Sequence, residues 1–159
     1  MANTGHDAHG ATKPMRPRVL SQYLGDAFPP TDQQAAIIGA QPGPLLVVAG
    51  AGAGKTETMA SRVVWLVANG YVRPEEVLGL TFTRKAAQEL GKRIRKRLER
   101  LAGNEQLVRR LDPTGQLAEN LTAIAPTVST YDSYAGSLIR EYGLLVPACL
   151  LSTSLSGLA

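Results

Sequence analysis

The stretch that most constrains this chain is LLVVAGAGAGKTET, Leu45 to Thr58. Five apolar residues run into alternating Gly and Ala and end on Gly-Lys-Thr. A short continuous apolar run suits a strand buried on both faces of a parallel sheet. The small residues after it make a flexible loop, and Lys55 to Asn69 reads as a helix. A strand, a Gly-rich loop and a helix start together bring backbone N–H groups around a phosphate. In that arrangement a lysine reaches the outer phosphates and the following hydroxyl binds Mg²⁺. The candidate nucleotide-binding residues are Gly50, Ala51, Gly52, Ala53, Gly54, Lys55, Thr56 and Glu57, with Lys55 and Thr56 as the chemically active pair. The pattern G-x-x-x-x-G-K-[ST] asks for Gly where this chain has Ala49, and Ala is small enough for that corner.

The surrounding elements alternate. PTDQQAAII predicts a helix start capped by Thr31 or Asp32, with Ala35, Ala36 and Ile38 available to pack. The Lys55–Asn69 helix would bury Met59, Val63, Leu66 and Val67 and stop at Gly70. VLGLTFT (77–83) predicts a second strand. A second helix from Ala86 to Leu101 places Ala87, Leu90, Ile94, Leu98 and Leu101 at three- and four-residue steps. Residues 102–125 read as a connector with some helical content. PTVSTY (126–131) predicts a third strand, and SYAGSLIREYG a short helix. This β-α-β-α-β-α order argues for an α/β protein with a parallel sheet and flanking helices. Residues 1–27 show no periodicity and read as a disordered tail.

Charge is unevenly placed. The chain carries +4 overall, yet residues 84–110 hold ten Lys or Arg against Glu89, Glu99 and Glu105, a local +7. Such a block fits a polyanionic partner, most simply nucleic acid, and equally a solvated helix face. The single Cys149 allows no internal disulfide. No secretory h-region and no apolar run of roughly 20 residues is present, so a cytoplasmic protein without a membrane span is expected.

Both later strands end on the same chemistry. Thr81-Phe82-Thr83 leads into Arg84-Lys85, and Ser129-Thr130 leads into Tyr131. Ligands of open α/β sheets sit outside the carboxyl ends of strands. Rings that stack on bases, with hydroxyls and cations for phosphates, hold single strands without sequence preference. Phe82 also fits a core position on pattern alone.

With these segments in order, the chain resembles superfamily 1A DNA helicases, the UvrD/Rep/PcrA group. AGAGAGKT is similar to motif I, LTFTRKAAQEL to motif Ia, TVSTYDSYAGSLIREYG to motif Ib, and PTDQQAAII to the upstream Q motif. Within the group, the segment from Gly54 to Ala87 looks closest to AdnB-type subunits of actinobacterial helicase–nuclease complexes. The resemblance implies an incomplete RecA-like P-loop NTPase domain over residues 28–145, the first part of helicase domain 1A. It implies ATP and Mg²⁺ as cofactors, Gln34 reading the adenine edge, and 3′–5′ movement on single-stranded DNA in repair or recombination. Phe82, Thr83, Arg84, Lys85, Thr130 and Tyr131 would touch that strand, and a second helicase–nuclease subunit is implied as partner. Arg84 stands where the group often has Asn, and Tyr131-Asp132 where it commonly has Phe-His. An acid there weakens phosphate contact.

Hydrolysis also requires a Walker-B acid, an acid that positions water, and arginines for developing charge. The one adjacent acidic pair, Glu75-Glu76, precedes the second strand and so lies at the wrong end of the sheet. The uncharged segment 146–159 reads unlike a polar domain terminus, and the expectation is a truncated product of a longer helicase gene that holds ATP without unwinding DNA. A small-molecule P-loop kinase is the enzymatic alternative, and a non-catalytic DNA-binding remnant the other.

Overall fold

Residues 14–50, 52, 54–122 and 125–143 are described by the computed structural model. Residues 1–13, Ala51, Ala53 and the segment 146–159 with Cys149 lie outside them.

The predicted tail is a folded element from residue 14 onward. Helix α1 (Pro17–Tyr23) starts on a proline, which suits a position with no intrahelical N–H partner. It buries Leu20, and Leu24 is buried just beyond it. The backbone N–H of Met15 donates to Asn69 Oδ1 at 2.7 Å, and its carbonyl accepts from Trp65 Nε1 at 2.6 Å. Two turns of helix carry too few apolar positions to show a period, which is why this element was invisible in the pattern.

Helix α2 (Asp32–Ile38) is capped by Thr31, the first of the two candidate caps, whose hydroxyl accepts from the Gln34 N–H while Gln34 Oε1 accepts from the Thr31 N–H. Its far end is held by Arg62, whose guanidinium donates to the carbonyls of Ile37, Ile38 and Ala40.

The run Leu45–Ala49 is not a strand, contrary to the sequence expectation. Leu46 and Val48 are each 88% exposed, with Leu45 and Val47 only partly covered. Among the described residues the sheet has two strands, β1 (Leu78–Thr81) and β2 (Thr127–Thr130), parallel and in register from Leu78↔Thr127 to Thr81↔Thr130. Neither pairs with the apolar run. A strand exists only through a neighbour's hydrogen bonds, so apolar composition alone could not make one here.

Helix α3 (Lys55–Ala68) buries Ala60, Val64, Trp65, Val67 and Ala68. That face is rotated from the predicted one: Met59 is exposed, while Val63 and Leu66 pack only partly. The rotation follows Trp65, which lies against Tyr71 with ring centroids 5.4 Å apart. Helix α4 (Arg84–Ala102) buries Ala87, Leu90, Ile94, Leu98 and Leu101, the five predicted positions. Helices α5 (Glu105–Leu111) and α6 (Gln116–Thr122) fill the connector and add Leu107, Val108 and Leu117 to the core formed mainly between α3 and α4. Helix α7 (Tyr131–Tyr142) follows β2 directly. No helix among the described residues is long and apolar enough to cross a membrane.

Candidate functional site

At the start of α3 the chain is built for close approach. Gly52 and Gly54 have φ of +75° and +70°, where an L side chain is strained. A Cβ on Gly54 would also meet Gln34 Nε2 at 3.1 Å. Because Gly54 is the N-cap, α3 receives no side-chain cap. Its first amides therefore lack the acceptor that Thr83 supplies to α4 and Thr130 to α7. Lys55 Nζ folds over the loop and donates to the carbonyls of Ala49 at 3.0 Å and Gly50 at 2.8 Å. Thr56 follows in the first turn, and Gln34 sits against the loop from α2. Among the described residues the structure thus brings Gln34, Gly54 and Lys55 together with Gly50, Gly52 and Thr56 at the start of α3.

Glu57, also in that first turn, turns away from the cradle. Its carboxylate accepts from Arg93 at 2.7 Å and from Arg97. Arg97 also donates to Asp26 at 2.8 Å, and both of those side chains are nearly buried. Burial alone would push the Glu57 carboxyl up, but the Arg97 charge and the hydrogen bonds from Arg93 and Arg97 outweigh it and hold it below the ordinary value. An acid that would repel phosphate at the cradle is thereby neutralised.

The strand ends form a second surface. Register pairs Thr81 with Thr130, so the next residues, Phe82 and Tyr131, emerge side by side. Their ring centroids are 5.2 Å apart at an interplanar angle of 37°, with Phe82 90% and Tyr131 49% exposed. Two rings that could have been buried instead face solvent. The hydroxyls of Thr83 and Thr130 are used as caps, accepting from the N–H groups of Ala86 and Ser133. Thr130 is itself buried, while Arg84 and Lys85 stand exposed at the start of α4. Asp132 lies in the first turn of α7, where the helix dipole favours an acid. Glu75 and Glu76 sit before β1 and pair with Arg73, at the opposite end of the strands.

Residues 30–149 match the model of the UvrD/REP helicase N-terminal domain. The chain belongs to this family. Similar proteins include DNA helicase IV of Escherichia coli K12, 56% identical over 54 residues (34% of this chain and 8% of that protein). ATP-dependent DNA helicase UvrD2 of Mycobacterium bovis is 48% identical over 64 residues, 40% of this chain and 9% of the relative. ATP-dependent DNA helicase PcrA of Bacillus subtilis is 40% identical over 75 residues, 47% of this chain and 10% of the relative. The matched part of the chain thus spans at most 10% of the length of these relatives.

In this helicase N-terminal domain the residues that sequence reading missed are mostly those that hold the site together. Arg62, Asp26, Arg93 and Arg97 join α2, α3 and α4 across long sequence distances. Nothing local distinguishes them from other surface charges. Phe28 is 88% exposed on the rim of a cavity of about 50 Å³ that Gln34, Glu57, Thr58 and Arg97 also line. That volume is far below what encloses a nucleotide base, so the Gln34 side of the loop offers a surface rather than a pocket. A wide depression of about 760 Å³ between Tyr23, Arg100 and Asn104 includes none of the candidate residues.

Proposed function

We propose that residues 28–145 are the ATP- and single-stranded-DNA-binding N-terminal part of a 3′–5′ DNA helicase acting in repair or recombination. The observation that carries this is the exposed Phe82–Tyr131 ring pair at the carboxyl ends of two parallel strands, in a chain whose helix α3 starts on a left-handed glycine. Family membership and relatives named ATP-dependent DNA helicases support the same reading and leave the kinase alternative without support.

In this reading the uncapped amides of α3 and Lys55 hold the β- and γ-phosphates of ATP, and Gln34 meets the base. Gly50, Gly52 and Gly54 bring the backbone close to the phosphate chain, and Ala51 and Ala53 are assigned to the same site by their place in the motif. Mg²⁺, held by Thr56 and the phosphates, supplies charge neutralisation when bound. Glu57 acts through its arginine partners rather than on the nucleotide. Phe82 and Tyr131 stack on bases, and Arg84 and Lys85 pair with phosphates. Thr83 and Thr130 fix the two turns that aim the rings. The sheet is the first part of a RecA-like domain 1A, of an AdnB-like branch that works with a second helicase–nuclease subunit. These 159 residues contain no DExxD-like acidic run, and the chain alone holds ATP without unwinding DNA.

Binding of ATP and of an oligothymidylate to the purified chain tests this, with and without Mg²⁺. Lys55→Ala should abolish ATP binding and spare the oligonucleotide. The double variant Phe82→Ala/Tyr131→Ala should do the reverse. Oligonucleotide binding with no measurable ATP binding would leave only a DNA-binding remnant, and unwinding by the 159-residue chain would refute the reading that it holds ATP without unwinding DNA.

A further inference from the structure

Helix α4 divides its cations into two groups that the sequence presents as one. With about 3.6 residues per turn, three sectors run along it. Ala87, Leu90, Ile94, Leu98 and Leu101 form the buried one. Arg93, Arg97 and Arg100 form the second, and all three bond to Glu57 or Asp26. Arg84, Lys85, Lys92, Arg95 and Lys96 form the third, and each is exposed. None of these five enters an ion pair among the described residues. Glu89 lies at the border with the paired arginines, and Glu99 ends the stripe one turn after Arg95.

A helix that needed cations only for solubility would have no reason to concentrate the unpaired ones. Here the unpaired stripe starts beside the ring pair, at Arg84, and reaches about 18 Å along the helix to Lys96. Its spacing of basic residues on one open face fits a backbone of regularly placed negative charges, and its origin at the rings says which backbone. We propose that Lys92, Arg95 and Lys96 continue the single-strand site, holding the phosphates of the strand that leaves Phe82 and Tyr131. This rests on the ring pair binding single-stranded DNA, and it adds a second segment that no base contact supplies.

The test is the salt dependence of oligothymidylate binding by the chain. Each phosphate neutralised on a single strand contributes about 0.7 to the slope of log affinity against log salt. The triple variant Lys92→Gln/Arg95→Gln/Lys96→Gln should therefore lose about 2 from the magnitude of that slope. Its thermal midpoint should match wild type, since these side chains hold nothing else. Phe82→Ala should weaken binding while leaving the slope unchanged. If wild type binds no oligonucleotide, the DNA-binding reading itself fails. If Phe82→Ala weakens binding but the triple variant keeps the wild-type slope, only the stripe is refuted. A slope lost on a blunt duplex but kept on the single strand would also refute it, by making the stripe a duplex contact.

Discussion

Helices α3 and α7 both begin at a candidate binding surface, and they begin in opposite ways. Thr130 closes the start of α7 with its own hydroxyl, as Thr83 closes α4. Gly54 leaves the start of α3 open, at φ +70° and with Lys55 folded over the loop. Glycine in place of a capping side chain costs a helix only a few tenths of a kcal/mol, so the start of α3 stays open at little cost in stability. On the proposed reading, one fold makes two kinds of site in this way. Self-satisfied turns are rigid and can aim rings, whereas an open turn keeps its amides for an anion. The open turn also contains Glu57, which would oppose an anion were it not neutralised from α4.

The largest effect should come from closing the open turn. Gly54→Val forces a β-branched residue into the left-handed region and against Gln34. It should lower ATP affinity by about 100-fold, read by nucleotide titration, with oligonucleotide binding intact. An unchanged affinity would show that the phosphates bind elsewhere. Next in size is Arg97→Ala, which leaves the nearly buried Asp26 with only Ser21 and a longer bond to Arg100, and Glu57 with Arg93 alone. It should cost about 3 kcal/mol in urea unfolding. A cost near that of an exposed substitution would mean the α3–α4 tie is incidental.

Opening a closed turn should do less. Thr130→Ala removes the α7 cap and should cost about 1 kcal/mol, largely restored by Thr130→Ser, with ATP binding unaffected. The smallest effect is the pH dependence of the Glu57 pairing. Its folded-state carboxyl titrates below the ordinary 4.5. The stability it contributes is thus fully present above that value and is lost as pH falls through the lower folded one. The gap in thermal midpoint between wild type and Glu57→Gln should close as pH falls below the ordinary 4.5 and through the lower folded value. A gap that stays constant would place the stabilisation elsewhere.

Much of the scaffold was legible because it is written locally. The α4 stripe, the helix start at Thr31 or Asp32, and the Gly70 stop each depend on residues within a few positions. The loop glycines and Lys55 were legible for the same reason. Where the pattern misled, a distant partner decided. The apolar run Leu45–Ala49 has the composition of a strand and no neighbouring strand among the described residues. The α3 face was set by Trp65 reaching Met15 and Tyr71 rather than by its own period.

Alone, then, the sequence determined the α/β class, the glycines and lysine at the start of α3, and the presence of rings and cations after two strands. Hydrophobic period, caps and glycines act over one or two turns, within reach of the chain's own local geometry. Tertiary structure decided that Phe82 meets Tyr131, that Glu57 is neutralised, and which of the α4 cations remain available. Each of those depends on strand register or on ion pairs between residues tens of positions apart, and no local pattern carries that information.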